Sequence, residues 1–262
     1  MPVIKNTYPV LEYDSEKHGI IKPNPNDGEL LPDICVMTFF GDVLKKFIGK
    51  NKYGIPGKYV SEMGVFPAYV LKYKGIEICM IQAVVGSASI AMMTEYLIGC
   101  GVKNIIACGG CGVLSNIPAG DVIIPVTALR DEGASYHYLP PSRDIRLDTD
   151  IIGIIKNTLA EHSVSFRECK TWTTDAFFRE TPDMVTYRKE EGCEVVEMEC
   201  AAIASVARFR GIKFGQLLYS GDILADYNNY DERAWFDNRI AREKLFYLSL
   251  EAAVKCKNRL EF

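Results

Sequence analysis

Short apolar runs of strand length alternate along this chain with longer stretches in which apolar residues recur at helical spacing. Residues 34–39 form one such run, a buried strand that stops at Gly41 and Asp42. Runs at 69–73 and 77–82 flank Lys74-Gly75, the signature of a hairpin turn. A helix is expected over 89–100, with Ser87 or Ser89 near its start and Gly101 just past its end. Further strands are expected at 105–108, 121–125, 168–172, 194–197 and 213–219, with a glycine-rich turn at 109–112. Helices are expected at 148–162, 182–191, 200–210 and 232–257. Alternation of this kind predicts an α/β protein with a central sheet covered by helices. No linker, repeat or low-complexity tract interrupts it, so one domain over 1–262 is expected.

Composition narrows the class. With 48% apolar and 24% charged residues, the chain is of ordinary globular type and can bury a sizeable core. A net charge of −4 and a pI near 5.6 give no electrostatic case for nucleic acid. Lys, Glu or Asp interrupts every apolar run before it reaches bilayer length, so no membrane association is expected. Nine cysteines scattered through apolar stretches favour reduced thiols and a cytoplasmic location. Cys108 and Cys111 form a C-x-x-C pair, but no second ligand pair lies nearby, so no metal site is expected.

Four segments carry candidate chemistry. The most informative is 196–207, which places Glu197 and Glu199 at the mouth of a helix of small apolar residues, with Met198 between them. One further apolar run leads to a third acid, Asp222. Read alone, the two glutamates are also ordinary acid enrichment at a helix start. At 40–45, Gly41 after a strand allows backbone amides to approach an anion, with Lys45 a turn later; a plain strand-to-helix turn with a solvated Lys45 fits equally. At 107–114, Gly109, Gly110 and Gly112 suggest a backbone passing close to a ligand. At 172–181, Phe177 and Phe178 beside polar residues suit stacking on a heterocycle, or one packs in the core and one on the surface; Arg179 and Glu180 would fix that loop by pairing. The charged and aromatic stretch 129–141 offers Arg130, either as an anion ligand or as a partner of Asp131 or Glu132.

Taken in order, these segments resemble the nucleoside phosphorylase/nucleosidase superfamily, of the purine nucleoside phosphorylase and uridine phosphorylase type. The resemblance runs from about Val36 to the last helix, and the Glu-Met-Glu helix start is its most specific element. It implies a three-layer α/β/α fold with a twisted, mixed central sheet. It implies that Met198 and Glu199 hold the ribose, that Phe177 and Asp222 face the base, and that Asp222 is the catalytic acid at a purine. Gly41, Lys45, Gly109 and Gly110 would bind phosphate, with Arg130 in reserve. Where the family usually carries Arg and a hydroxyl as phosphate ligands, this chain has Ala107 and Gly110. His18, or alternatively His137, would reach the 5′-hydroxyl pocket of a neighbouring subunit. The implied activity is phosphorolysis of a purine nucleoside to base and ribose 1-phosphate. Alternatives are hydrolysis by a nucleosidase and nucleoside binding without catalysis. The implied partners are nucleoside and phosphate, the latter a co-substrate with no cofactor besides, in a homo-oligomer (a dimer or a trimer of dimers).

Overall fold

Every residue of β1 (Ile34–Thr38) is buried, as a parallel strand covered on both faces requires. The computed structural model describes residues 3–23, 30–225 and 230–260. In it β1 pairs in parallel with β4 (Ile76–Gln82) and with β5 (Asn104–Val113). Beyond β4 the sheet continues antiparallel through β3 (Gly64–Tyr73) to β2 (Gly54–Ser61). The β3–β4 turn is the expected one, with Lys74 and Gly75 both at positive φ, 50° and 85°.

On its other side β5 pairs twice, in parallel with β10 (Lys213–Ile223) and antiparallel with β9 (Cys193–Glu197). From β9 the pairing runs in parallel through β8 (Phe166–Thr174) to β6 (Val122–Asp131), and β6 returns antiparallel to β10. Five strands thus form a closed circuit of pairings, while β1, β4, β3 and β2 extend from it. A short β7 (Asp144–Arg146) adds to β6. The fold is mixed α/β with a central mixed sheet, in keeping with the sequence.

The helices pack in two groups. α2 (Ser87–Gly99) lies against α5 (Cys200–Arg210), and α3 (Thr149–Glu161) lies against α6 (Arg239–Leu260), which also covers β1 and β5. α1 (Gly41–Ile48) follows β1, and α4 (Pro182–Glu190) follows β8 with Thr181 as its cap and Pro182 in its first turn. The first eight residues of α5 are all buried, and Gly211 in the left-handed region (φ 76°) ends it.

Two expectations are corrected, and one strand is added. The glycines at 109–112 do not turn; they lie inside β5, which runs on to Val113. They are there because neighbours crowd the strand: a Cβ on Gly109 would lie 2.9 Å from the Phe39 ring, and one on Gly110 would lie 3.2 Å from the Tyr219 ring. The last helix begins at Arg239 rather than 232, after a 3-10 turn at Trp235–Asp237. β2 was not legible because Gly54, Pro56 and Gly57 read as turn residues; it is an end strand of the sheet, with a register shift between Gly54 and Gly57 that accommodates the proline. All nine cysteines are buried, and none is in a disulfide. Among the described residues, no helix is long and apolar enough to cross a membrane.

Candidate active site

The two glutamates at the mouth of α5 divide the work between them. Glu197, at the end of β9, is wholly buried among donors. Its Oε2 accepts the backbone amides of Glu199 (2.7 Å) and Cys200 (2.6 Å), and its Oε1 accepts the hydroxyls of Thr173 (2.6 Å) and Thr171 (3.2 Å) from β8. Glu197 is therefore the acid that satisfies the start of the helix. Glu199 is left for another role: its side chain caps nothing in α5, and its Oε1 accepts the amide of Gly86 at 2.6 Å. Burial pushes the Glu199 carboxyl up to about 8, the negative charge of Glu197 adds to this, and the Gly86 bond opposes it.

Gly86 reaches Glu199 from the turn before α2 with φ 94°, a conformation that favours glycine. The next residue, Ser87, donates its hydroxyl to Asp175 Oδ1, and Asp175 Oδ2 accepts the Gly133 amide at 2.8 Å. The turn before α2, the loop after β8 and the loop after β6 are thus tied together around Glu199. Met198 is half-buried beside it.

Asp222 lies in the closing residues of β10, half-buried, and its Oδ2 accepts the Tyr230 hydroxyl at 3.2 Å. Burial raises its carboxyl above the usual aspartate value, while the Tyr230 bond and the charge of Arg233 pull the other way. A Cβ on Gly112 would lie 3.4 Å from Asp222 Oδ1 and 3.0 Å from Val196 Cγ1, and Gly112 pairs with Val196 three residues before Glu199. The buried Cys111 thiol is pushed up by burial and feels both Glu197 and Asp222. Asp222 is thus linked to the Glu199 region through the Gly112–Val196 pair of β5 and β9.

Contrary to what the sequence leads one to expect, Glu180 does not fix its loop by pairing with Arg179. No ion pair joins the two among the described residues. Burial instead pushes the Glu180 carboxyl up to about 8, and the charge of Asp222 adds to the shift. Phe177 and Phe178 are both exposed, at 50% and 87%, with ring centroids 3.9 Å apart, so neither belongs to the core.

The expected phosphate ligands are placed unevenly. Gly41 opens α1 beneath the Gln82 side-chain amide, with which any Cβ would collide. Lys45 is exposed and has no ion-pair partner among the described residues. Gly110 is exposed, whereas Gly109 is buried within β5, opposite Leu218 of β10 and against the Phe39 ring. Arg130 is likewise corrected. Its guanidinium is buried and donates to Ser135 and Ser142 hydroxyls (2.9 and 2.7 Å) and to the Pro140 and Leu139 carbonyls (2.8 and 3.2 Å), so it organises its own loop and pairs with neither Asp131 nor Glu132. His18 is exposed and bonds Glu16 Oε1 at 2.9 Å. The preceding carbonyl, of Lys17, is held by Arg210 at the end of α5 remote from Glu199, so His18 is not part of this site within one chain. His137 is exposed in the 3-10 turn Ala134–His137.

One cation near the site was not read from sequence. Arg242 of α6 is buried, and its Nη2 meets Asp42 Oδ1 at 2.5 Å at the start of α1. Residues 33–253 match the model of the phosphorylase superfamily, and the chain belongs to that family. It is 27% identical over 150 residues to a guanosine phosphorylase of Halorubrum lacusprofundi, a match spanning 55% of this chain and 61% of that relative's length. It is similar in fold to a purine nucleoside phosphorylase of Toxoplasma gondii in complex with immucillin-H (TM-score 0.75, 18% identity, 88% of this chain and 93% of the other). It is also similar in fold to an AMP nucleosidase of Bacteroides thetaiotaomicron (TM-score 0.72, 21% identity, 88% and 91%).

Proposed function

We propose that this protein cleaves the N-glycosidic bond of a purine nucleoside with phosphate, giving the base and ribose 1-phosphate. The observation that carries this reading is Glu199: a buried carboxyl released from helix capping by Glu197, fixed by Gly86, and linked to Asp222 through the Gly112–Val196 pair. As the glycosidic bond lengthens, positive charge develops on the ribose and negative charge on the departing base. Ribose hydroxyls donating to Glu199 draw it toward its charged form, and the resulting anion stabilises the sugar cation more than the neutral ground state. Asp222, whose carboxyl burial favours protonated, gives its proton to the purine as it leaves. Phe177 and Phe178 supply exposed ring faces on the loop that carries Glu180.

A second reading, water in place of phosphate, is favoured by Ala107, whose side chain carries no donor, and by the Tyr219 ring, which stands 3.2 Å from where a side chain at Gly110 would begin. Base release from a panel of ribosides, with and without phosphate, tests both. Phosphate-dependent release with ribose 1-phosphate as product supports the first reading, and free ribose formed regardless of phosphate supports the second. Purine binding with no release in either condition sinks both.

A further inference from the structure

Arg242 is the only arginine placed against the start of α1 among the described residues, and nothing in the sequence pattern marked it. Its side chain is 8% exposed, yet its ion-pair partner Asp42 is 57% exposed. The guanidinium is fixed from three other directions. Nη1 donates to the Phe236 carbonyl at 2.5 Å, and its Cζ lies 5.2 Å from the Phe40 ring centroid and 5.1 Å from that of Phe236. The arginine is therefore held in place and the aspartate is the member free to turn outward. The pair adjoins Gly41, and it reaches the glycine strand through Tyr219: the Phe40 and Tyr219 rings lie 5.9 Å apart, and the Tyr219 ring lies against one side of Gly110. Tyr219 also feels the charges of Arg242, Asp42 and Asp222, so its ring stands between the ion pair and the candidate acid.

We infer that Arg242 is the cation of the anion subsite and that Asp42 is its internal occupant, a carboxylate that phosphate must displace before it can bind. This rests on the proposed function and adds to it the residue that admits or refuses phosphate. A carboxylate and a phosphate present similar oxygens to a guanidinium fork, so the exchange replaces one charge-assisted bond by another. Lys45, one turn further along α1, adds an exposed second charge. With Asp42 seated, the subsite excludes phosphate and leaves water as the competing acceptor.

The test is the binding of inorganic phosphate by calorimetry to the full chain and to Asp42→Asn, Arg242→Lys and Arg242→Gln, each checked by thermal melting. Asp42→Asn is expected to bind phosphate about five- to tenfold more tightly, and Arg242→Lys about tenfold more weakly because the fork is lost. If Arg242→Gln fails to fold, Arg242→Lys and Asp42→Asn carry the result. Equal phosphate affinity in wild type and Asp42→Asn overturns the inference, as does binding that survives Arg242→Lys unchanged but vanishes in Lys45→Ala. Phosphate-dependent base release with no effect of Asp42→Asn leaves phosphorolysis standing and the inference fallen. Tighter phosphate binding by Asp42→Asn with no base release from any variant does the reverse.

Discussion

Glu197 holds the backbone of the residue whose side chain it would otherwise compete with: its Oε2 accepts the amide of Glu199 at 2.7 Å. Two acids separated by one methionine thus reach different ends, one buried as structure and one presented to a site. Their proximity also has an electrostatic effect, since the charge on Glu197 helps keep Glu199 protonated.

Removing Glu197 should therefore act on stability first. Glu197→Ala leaves the amides of Glu199 and Cys200 and two threonine hydroxyls without their acceptor. A loss of about 2–3 kcal/mol is expected, seen as a fall in Tm of about 5–10 °C. A Tm unchanged from wild type would show that Glu197 does not cap α5.

Glu199→Gln should behave differently. Base release is expected to fall by about 10²-fold, because the amide keeps the shape but offers no anion to the sugar cation. Kinetics on a riboside and its 2′-deoxy analogue check the assignment. Full activity of the variant on both would remove Glu199 from the ribose site.

The pH dependence of stability has a defined sign. In the folded chain Glu199 and Glu180 keep their protons up to about 8, whereas an ordinary glutamate loses its proton near 4.5. Between these values the folded state binds more protons than the unfolded state, so stability falls as pH rises through this window. Melting curves should show Tm dropping by about 5 °C or more from about pH 5 to about pH 8, with a shallower fall in Glu199→Gln. A Tm that rises over this range contradicts the assignment.

Asp222→Asn should lower base release by about 10²–10⁴-fold while nucleoside binding persists, since the amide has no proton to give. Substrates with good leaving groups should be least affected. Turnover equal to wild type on a poor leaving group would take Asp222 out of the mechanism.

If His18 completes the site of a neighbour, the active form is a homo-oligomer. Sedimentation at assay concentration should then show a dimer or larger, and His18→Ala should weaken nucleoside binding without lowering Tm. An active monomer would defeat both expectations.

The sequence made the α5 region legible because its signal is local: acids, then an unbroken run of small residues, then a strand ending in Asp222. It could not show which glutamate would cap, because that depends on Thr171 and Thr173 of β8 arriving beneath Glu197. The glycines of β5 suggest a turn in the sequence for a similar reason. A turn and a crowded strand both select glycine, and only the Phe39 and Tyr219 rings decide between them. Arg130 looked available because its acceptors are loop carbonyls and hydroxyls, which leave no charge pattern. Asp42 and Arg242 are 200 residues apart, a separation at which spacing carries no information.

The closed strand circuit also bears on solubility. Because β5, β9, β8, β6 and β10 satisfy one another, the principal open ladder of the sheet is the outer side of β2. An open ladder invites edge-to-edge addition of further chains, and prolines, bulges and lysines are the usual guards against it. Pro56, the adjoining register shift and Lys58 stand on that strand. The residues that hid β2 in the sequence are thus the ones that keep its edge from templating aggregation, and replacing Pro56 with a strand-forming valine would expose the molecule to it.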